Sequence, residues 1–192
     1  MKKIIFLVLS SLVLCGCSTT NEIDRGFLAT TVGFYESDGQ ITVVIDALSS
    51  SNDNPAQQFL LSGSGNSPQA ALDNLKTHLA KPLYFKQLGC AVFDTSLRPE
   101  NLTTCIDLLL SMQDVHFGIY AVKTDDIKTL FKLTPQSESL GYDIIGLVKN
   151  FENQTDAKTK SQLYQSGDCS AFLPTINVVD GNLVIKNLEG GL

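Results

Sequence analysis

The sequence predicts an α/β fold of mixed α+β character, and three patterns predict it. β-branched and aromatic runs flank Asp38-Gly39 near the start, and a second pair flanks Asp180-Gly181-Asn182 near the end; each is a hairpin signal. Between them the chain alternates strand, helix, strand, helix, strand, which requires βαβ-type crossovers. A mixed sheet follows, with an N-terminal antiparallel hairpin, a βαβ-type centre covered by helices and a C-terminal β-hairpin.

The first strand is expected over Phe27 to Tyr35 and the second over Ile41 to Leu48. A polar loop from Ser49 to Pro55 leads to a third, Gln57 to Ser62, so the chain begins as a meander. Ser67 followed by Pro68 is an N-cap with proline at the first helical position, and Ala71, Leu72, Leu75 and Leu79 recur on one face up to Ala80. A strand is expected over Leu88 to Phe93. A helix follows over Pro99 to Met112, with Leu102, Ile106, Leu109 and Leu110 inward, and then a strand over Phe117 to Val122. Thr124 to Phe131 reads as a short helix. A longer one starts at Ser137 or Ser139 and ends near Phe151, with Tyr142, Ile145, Leu147 and Val148 as its apolar positions, and a further short helix is expected over Lys158 to Tyr164. Thr175 to Val179 and Leu183 to Lys186 complete the sheet.

The N-terminus carries a different signal. Met1-Lys2-Lys3 is a basic start, Ile4 to Leu14 is an uncharged apolar stretch, and Leu14-Cys15-Gly16-Cys17 closes it with small residues. That stretch holds about 11 residues, against the roughly 20 needed to cross the hydrocarbon core, so it reads as a removable signal peptide. A cysteine directly after Leu-x-Gly is where bacterial processing attaches lipid to the thiol and cleaves before it. Cys17 is thus the expected lipid anchor and first mature residue, with residues 1–16 the lipoprotein signal, 17–26 a tether and 27–192 a single globular domain. Several acyl chains on one cysteine make such an anchor stable, since a single chain binds only marginally.

Composition narrows the function. The chain has 43% hydrophobic and 18% charged residues, which describes a folded protein. Loss of Lys2 and Lys3 with the signal takes the formal charge from −6 to −8. No basic stripe is available for a phosphate backbone, so nucleic acid is excluded as a partner. Membrane attachment is left to the lipid anchor, not to electrostatic adhesion. Of five cysteines, Cys15 leaves with the signal and Cys17 takes lipid, so Cys90, Cys105 and Cys169 allow at most one disulfide of undetermined connectivity. Cys105 shares a helical face with Leu102 and Leu109 and reads as a small buried hydrophobe.

Catalytic chemistry has little to stand on. Ser62-Gly63-Ser64-Gly65-Asn66-Ser67 lacks the lysine of a phosphate-binding loop and the spacing of a nucleophile elbow, so it reads as a strand-to-helix turn. His78 and His116 have no second ligand at a metal spacing. No enzyme, no metal, no cofactor and no catalytic residue is expected.

Several motifs in order resemble the spore germination C-subunit family, the lipoprotein component of nutrient germinant receptors in endospore-forming bacteria. They are Gly16-Cys17 with Glu22-Ile23, Thr31-Val32-Gly33, the Ser62 to Leu72 stretch, and Lys81-Pro82-Leu83-Tyr84-Phe85 followed by the strand to Phe93. Asp114-Val115, Ile119 to Val122 and Ala171 to Ile176 continue the series. The family's C subunits usually carry Asp at the place of Tyr35 and His at that of Gln87. The resemblance covers nearly all of the sequence and corresponds to the N-terminal domain of those subunits, with their later domains absent. It implies a lipid-anchored, non-catalytic subunit of a germinant receptor, on the outer face of the spore inner membrane or cell membrane, assembled with the A-type and B-type integral-membrane subunits. The alternative is a small solute-binding or envelope lipoprotein unrelated to germination.

Overall fold

The computed structural model describes residues 26–51, 54–115, 118–155 and 173–186. Eight strands form one mixed sheet: β1 (Phe27–Ser37), β2 (Gln40–Ser51), β3 (Asn54–Gly65), β4 (Leu83–Tyr84), β5 (Cys90–Asp94), β6 (Tyr120–Thr124), β7 (Thr175–Val179) and β8 (Asn182–Lys186). Their order across the sheet is β3-β2-β1-β5-β6-β7-β8, with β4 paired to β1. The four described helices are α1 (Pro68–Thr77), α2 (Pro99–Ser111), α3 (Ile127–Leu130) and α4 (Leu140–Thr155).

Both expected hairpins form. Asp38 and Gly39 have φ of 55° and 74°, and Asp180 and Gly181 have 50° and 76°. Two consecutive left-handed residues make the tight turn whose twist matches the flanking strands, which is why Asp-Gly stands at both places. The centre is parallel: β1 with β5, β5 with β6, and β6 with β7. β4 and β5 lie in series along one edge of β1, the first beside Phe27 and Leu28 and the second beside Thr31 to Phe34. Gly89 bridges the gap by donating its N–H to the Thr30 carbonyl. The two-residue β4 has no periodicity to reveal it in sequence.

The sheet buries a core on each face, as its alternation dictates. On the first, Ala29, Val32 and Phe34 of β1, Ile41, Val43 and Ile45 of β2, and Ala91 and Phe93 of β5 pack under α1 and α2. Ala29 and Val32 are three residues apart yet share this face because the β1–β2 register shifts between Ala29 and Thr31. A bulge at that point absorbs the extra residue. On the second face, Val44, Cys90, Val92, Val122 and Ile176 pack with Ile127 and Leu130 of α3 and Leu140, Ile144 and Val148 of α4.

Two helix faces differ from the sequence pattern. In α2 the inward positions are Leu102, Cys105 and Leu109, while Leu110 is exposed and Ile106 half-buried. In α4 Ile144 is a buried anchor and Tyr142 is exposed, with Ile145 and Leu147 half-buried. In each helix the apolar stripe is wider than the strip that touches the sheet, so periodicity alone could not say which edge of it points in. The expected helix over Lys158 to Tyr164 lies outside the described residues.

Candidate functional site

Cys17 and Cys169 lie outside the described residues, as does His116. The segment from Cys17 leads into β1, and β1, β5, β6 and β7 all start at the same end of the sheet because they are parallel in sequence across it. Phe27 fixes that entry by donating its N–H to the Pro82 carbonyl at 2.8 Å.

The serine-glycine turn has a packing role. An added Cβ at Gly63 would lie 2.6 Å from the Ala71 carbonyl oxygen and the Leu75 nitrogen, and one at Gly65 would lie 2.6 Å from the Ala71 nitrogen. These glycines let β3 and α1 approach backbone to backbone. Ser67 then caps α1, its hydroxyl accepting from the Ala70 N–H at 3.1 Å. His78 ends α1 as an exposed C-cap, with Nδ1 2.8 Å from the Asn74 carbonyl oxygen.

Cys90 and Cys105 are free thiols buried on opposite faces of the sheet, so they are not partners for one another. Burial pushes the Cys90 thiol well above its ordinary value. It also pushes that of Cys105 up to about 12, with the nearby Glu36 carboxylate adding to the shift. Such thiols stay protonated and unreactive at neutral pH.

Two acids unremarked in the sequence prove central to the architecture. Asp46 of β2 is 1% exposed, and its carboxylate accepts from the Leu140 N–H at 3.1 Å, the Thr30 hydroxyl at 3.2 Å and the Gln58 amide at 2.8 Å. Leu140 opens α4, so a strand carboxylate satisfies an N–H that the helix itself cannot. Asp94 does the same at the end of β5, accepting from the Ile127 N–H that starts α3 and from the Ser96 N–H, each at 2.9 Å. An acid inside the otherwise uncharged run Ile41 to Leu48 was the available signal for Asp46.

At the carboxyl ends of the parallel strands the polar side chains are engaged with one another. Glu36 of β1 meets Arg98 at 2.9 Å and the Asn101 amide at 2.8 Å. The hydrogen bond from Arg98, then that from Asn101, holds the Glu36 carboxyl below its ordinary range. Asp125 accepts from the Asn177 amide at 2.7 Å and from Lys186 at 3.4 Å, and its carboxyl is lowered by the same contacts. Among the described residues no group of three or more His, Cys, Asp or Glu could hold a metal ion. A described concavity of about 360 Å³ lies between α4 and the β7–β8 turn, where Tyr142, Gly146, Leu147 and Asn150 face Gly181 and Leu183.

The family model described as the spore germination protein N-terminal domain matches residues 19–177. The chain belongs to this family. No curated protein and no solved structure matches it. The germination domain so defined contains α1 to α4 and every strand through β6, and its boundary falls inside β7, so that β8 adds the outermost strand beyond it. The role of the protein is therefore in spore germination. The mixed sheet with a hairpin at each end is the fold expected from the sequence.

Proposed function

We propose that this protein is a lipid-anchored, non-catalytic subunit of a nutrient germinant receptor complex. The observation that carries the reading is the family match, which begins two residues after Cys17. On this reading residues 1–16 are removed as a signal peptide, Cys17 carries the acyl anchor on the outer face of the membrane, residues 17–26 form a tether, and the domain from 27 to 192 assembles with the A-type and B-type integral-membrane subunits. Among the described residues no helix is long and apolar enough to cross a membrane, so the tether supplies the attachment. Confinement at the membrane raises the effective concentration of the domain beside its partners without any new contact, which is how a subunit without catalytic groups contributes.

Cys17→Ala tests the anchor. The variant is expected in the soluble fraction of spore lysates, with nutrient-triggered germination strongly reduced and the two integral-membrane subunits absent from its pull-down. Unchanged germination and unchanged membrane-subunit levels after deletion of the gene, together with a pull-down that recovers neither subunit, would overturn the proposal. The groove beside Tyr142 favours a second reading, a small-solute binding protein. A ligand at about 100 times its Kd stabilises a protein by roughly 2.7 kcal/mol, so thermal-shift screening with amino acids and sugars tests it.

A further inference from the structure

The two edges of the sheet are built differently. β8 ends one side with five residues that include Lys186, already engaged with Asp125. Among the described residues, β3 ends the other with twelve residues, Asn54–Gly65, none of them charged. Its exposed side chains are Gln57, Gln58, Leu60, Ser62 and Ser64, and Leu60 at the centre is 52% exposed. Exposed edges present unpaired backbone N–H and C=O groups, and proteins ordinarily blunt them with short strands, charge or proline. Here only Pro55, near the strand's start, does so.

We infer that the β3 edge is an interface between two copies of this chain, joined antiparallel about a twofold axis. Two features select a second copy as the occupant. An isologous contact places each residue against the same strand, so a charge at its centre would meet itself, and β3 carries none in a protein whose formal charge is −6. The strand is also self-complementary in character: with Leu60 against its own copy, Phe59 faces Leu61 of the second copy and Gln58 faces its Ser62. Apolar positions then meet apolar ones and neutral hydrogen-bonding positions meet their like. Ladder hydrogen bonds across the axis would join the two sheets into one, and the exposed Leu60 pair would be covered. This inference does not depend on the anchor or on the receptor partners.

The test uses the full-length chain in its membrane. Opposed residues of an antiparallel pair have Cα atoms about 4.5–5.5 Å apart, within disulfide reach. Leu60→Cys is expected to give an oxidised dimer, while Val184→Cys on the opposite edge is expected to give little. Both variants are made with Cys169→Ser, and the buried Cys90 and Cys105 add no background. In detergent, Leu60→Lys should weaken self-association measured by sedimentation by at least about tenfold while leaving the far-UV circular dichroism spectrum unchanged, because it sets like charges face to face without altering the fold. A wild-type chain that sediments as a monomer throughout, or equal cross-linking at both edges, would overturn the inference.

Discussion

On the first face of the sheet, α1 and α2 dock through Leu72, Leu75, Leu102 and Leu109; α1 is capped at the surface by the Ser67 hydroxyl, and α2 starts without a side-chain cap, its N-cap residue Arg98 being paired with the half-buried Glu36. On the second face, α3 and α4 dock through Ile127, Leu130, Ile144 and Val148, but each is also fastened by a strand carboxylate, Asp94 or Asp46, reaching out of the sheet. The difference lies in where the helix N-terminal N–H groups find partners. A helix capped at the surface can lose its cap to water, which replaces the bond. A helix capped by a buried strand acid has no such substitute, so its position and its capping are one interaction.

Breaking the second kind of fastening should cost most. Asp46→Ala leaves the Leu140 N–H and the Gln58 amide without their acceptor, while the Thr30 hydroxyl keeps the backbone carbonyl of residue 46 at 3.0 Å, and about 4 kcal/mol of unfolding free energy should be lost in urea titration. Hydrogen exchange should quicken first in α4 and leave α1 protected; equal loss in both would mean that the faces form one cooperative unit and would end the distinction. Leu75→Ala sharpens it from the other side. It opens a cavity between α1 and β3 at a cost of roughly 3 kcal/mol, with α1 amides exchanging before those of α4.

Asp94→Ala removes acceptors for two backbone N–H groups and should cost about 2 kcal/mol, measured by the same titration. Ser67→Ala removes a surface cap that water replaces in part, and about 1 kcal/mol is expected. The smallest effect belongs to Glu36. Its carboxyl is held below the ordinary value, so its link to Arg98 contributes fully above that ordinary value, near 4.3, and is lost as pH falls through the lower folded-state value. Glu36→Gln should therefore flatten the acid limb of the thermal midpoint against pH and change little at neutrality.

Much of this was legible in the residues. The two hairpins were written in Asp38-Gly39 and Asp180-Gly181, because consecutive left-handed residues demand those types. α1 was written in Ser67-Pro68 and the spacing of Ala71, Leu72 and Leu75. The family was legible in the Ser62 to Leu72 stretch, and the close packing at Gly63 and Gly65 gives a physical reason for glycine there. What was not legible depends on tertiary contact. The outward turn of Leu110 and Tyr142 follows from which edge of a wide apolar stripe meets the sheet, and β4 follows from a neighbour already in place. The groove beside Tyr142 joins α4 to a turn some 40 residues later, and no local pattern announces it.

The Asp46–Leu140 bond joins residues 94 positions apart. During synthesis, β2 leaves the ribosome long before the helix whose first turn it will hold. Through that interval the Asp46 carboxylate stays in water, where a charge is stable, and the sheet beneath can form with its second face uncovered. Docking of α4 removes that charge from water and supplies its hydrogen bonds in a single event. Loop-closure entropy thus favours an order in which the β1–β2 hairpin forms before the α1 crossover and the α4 layer docks after both, since long-range closure must be met before its contacts add stability.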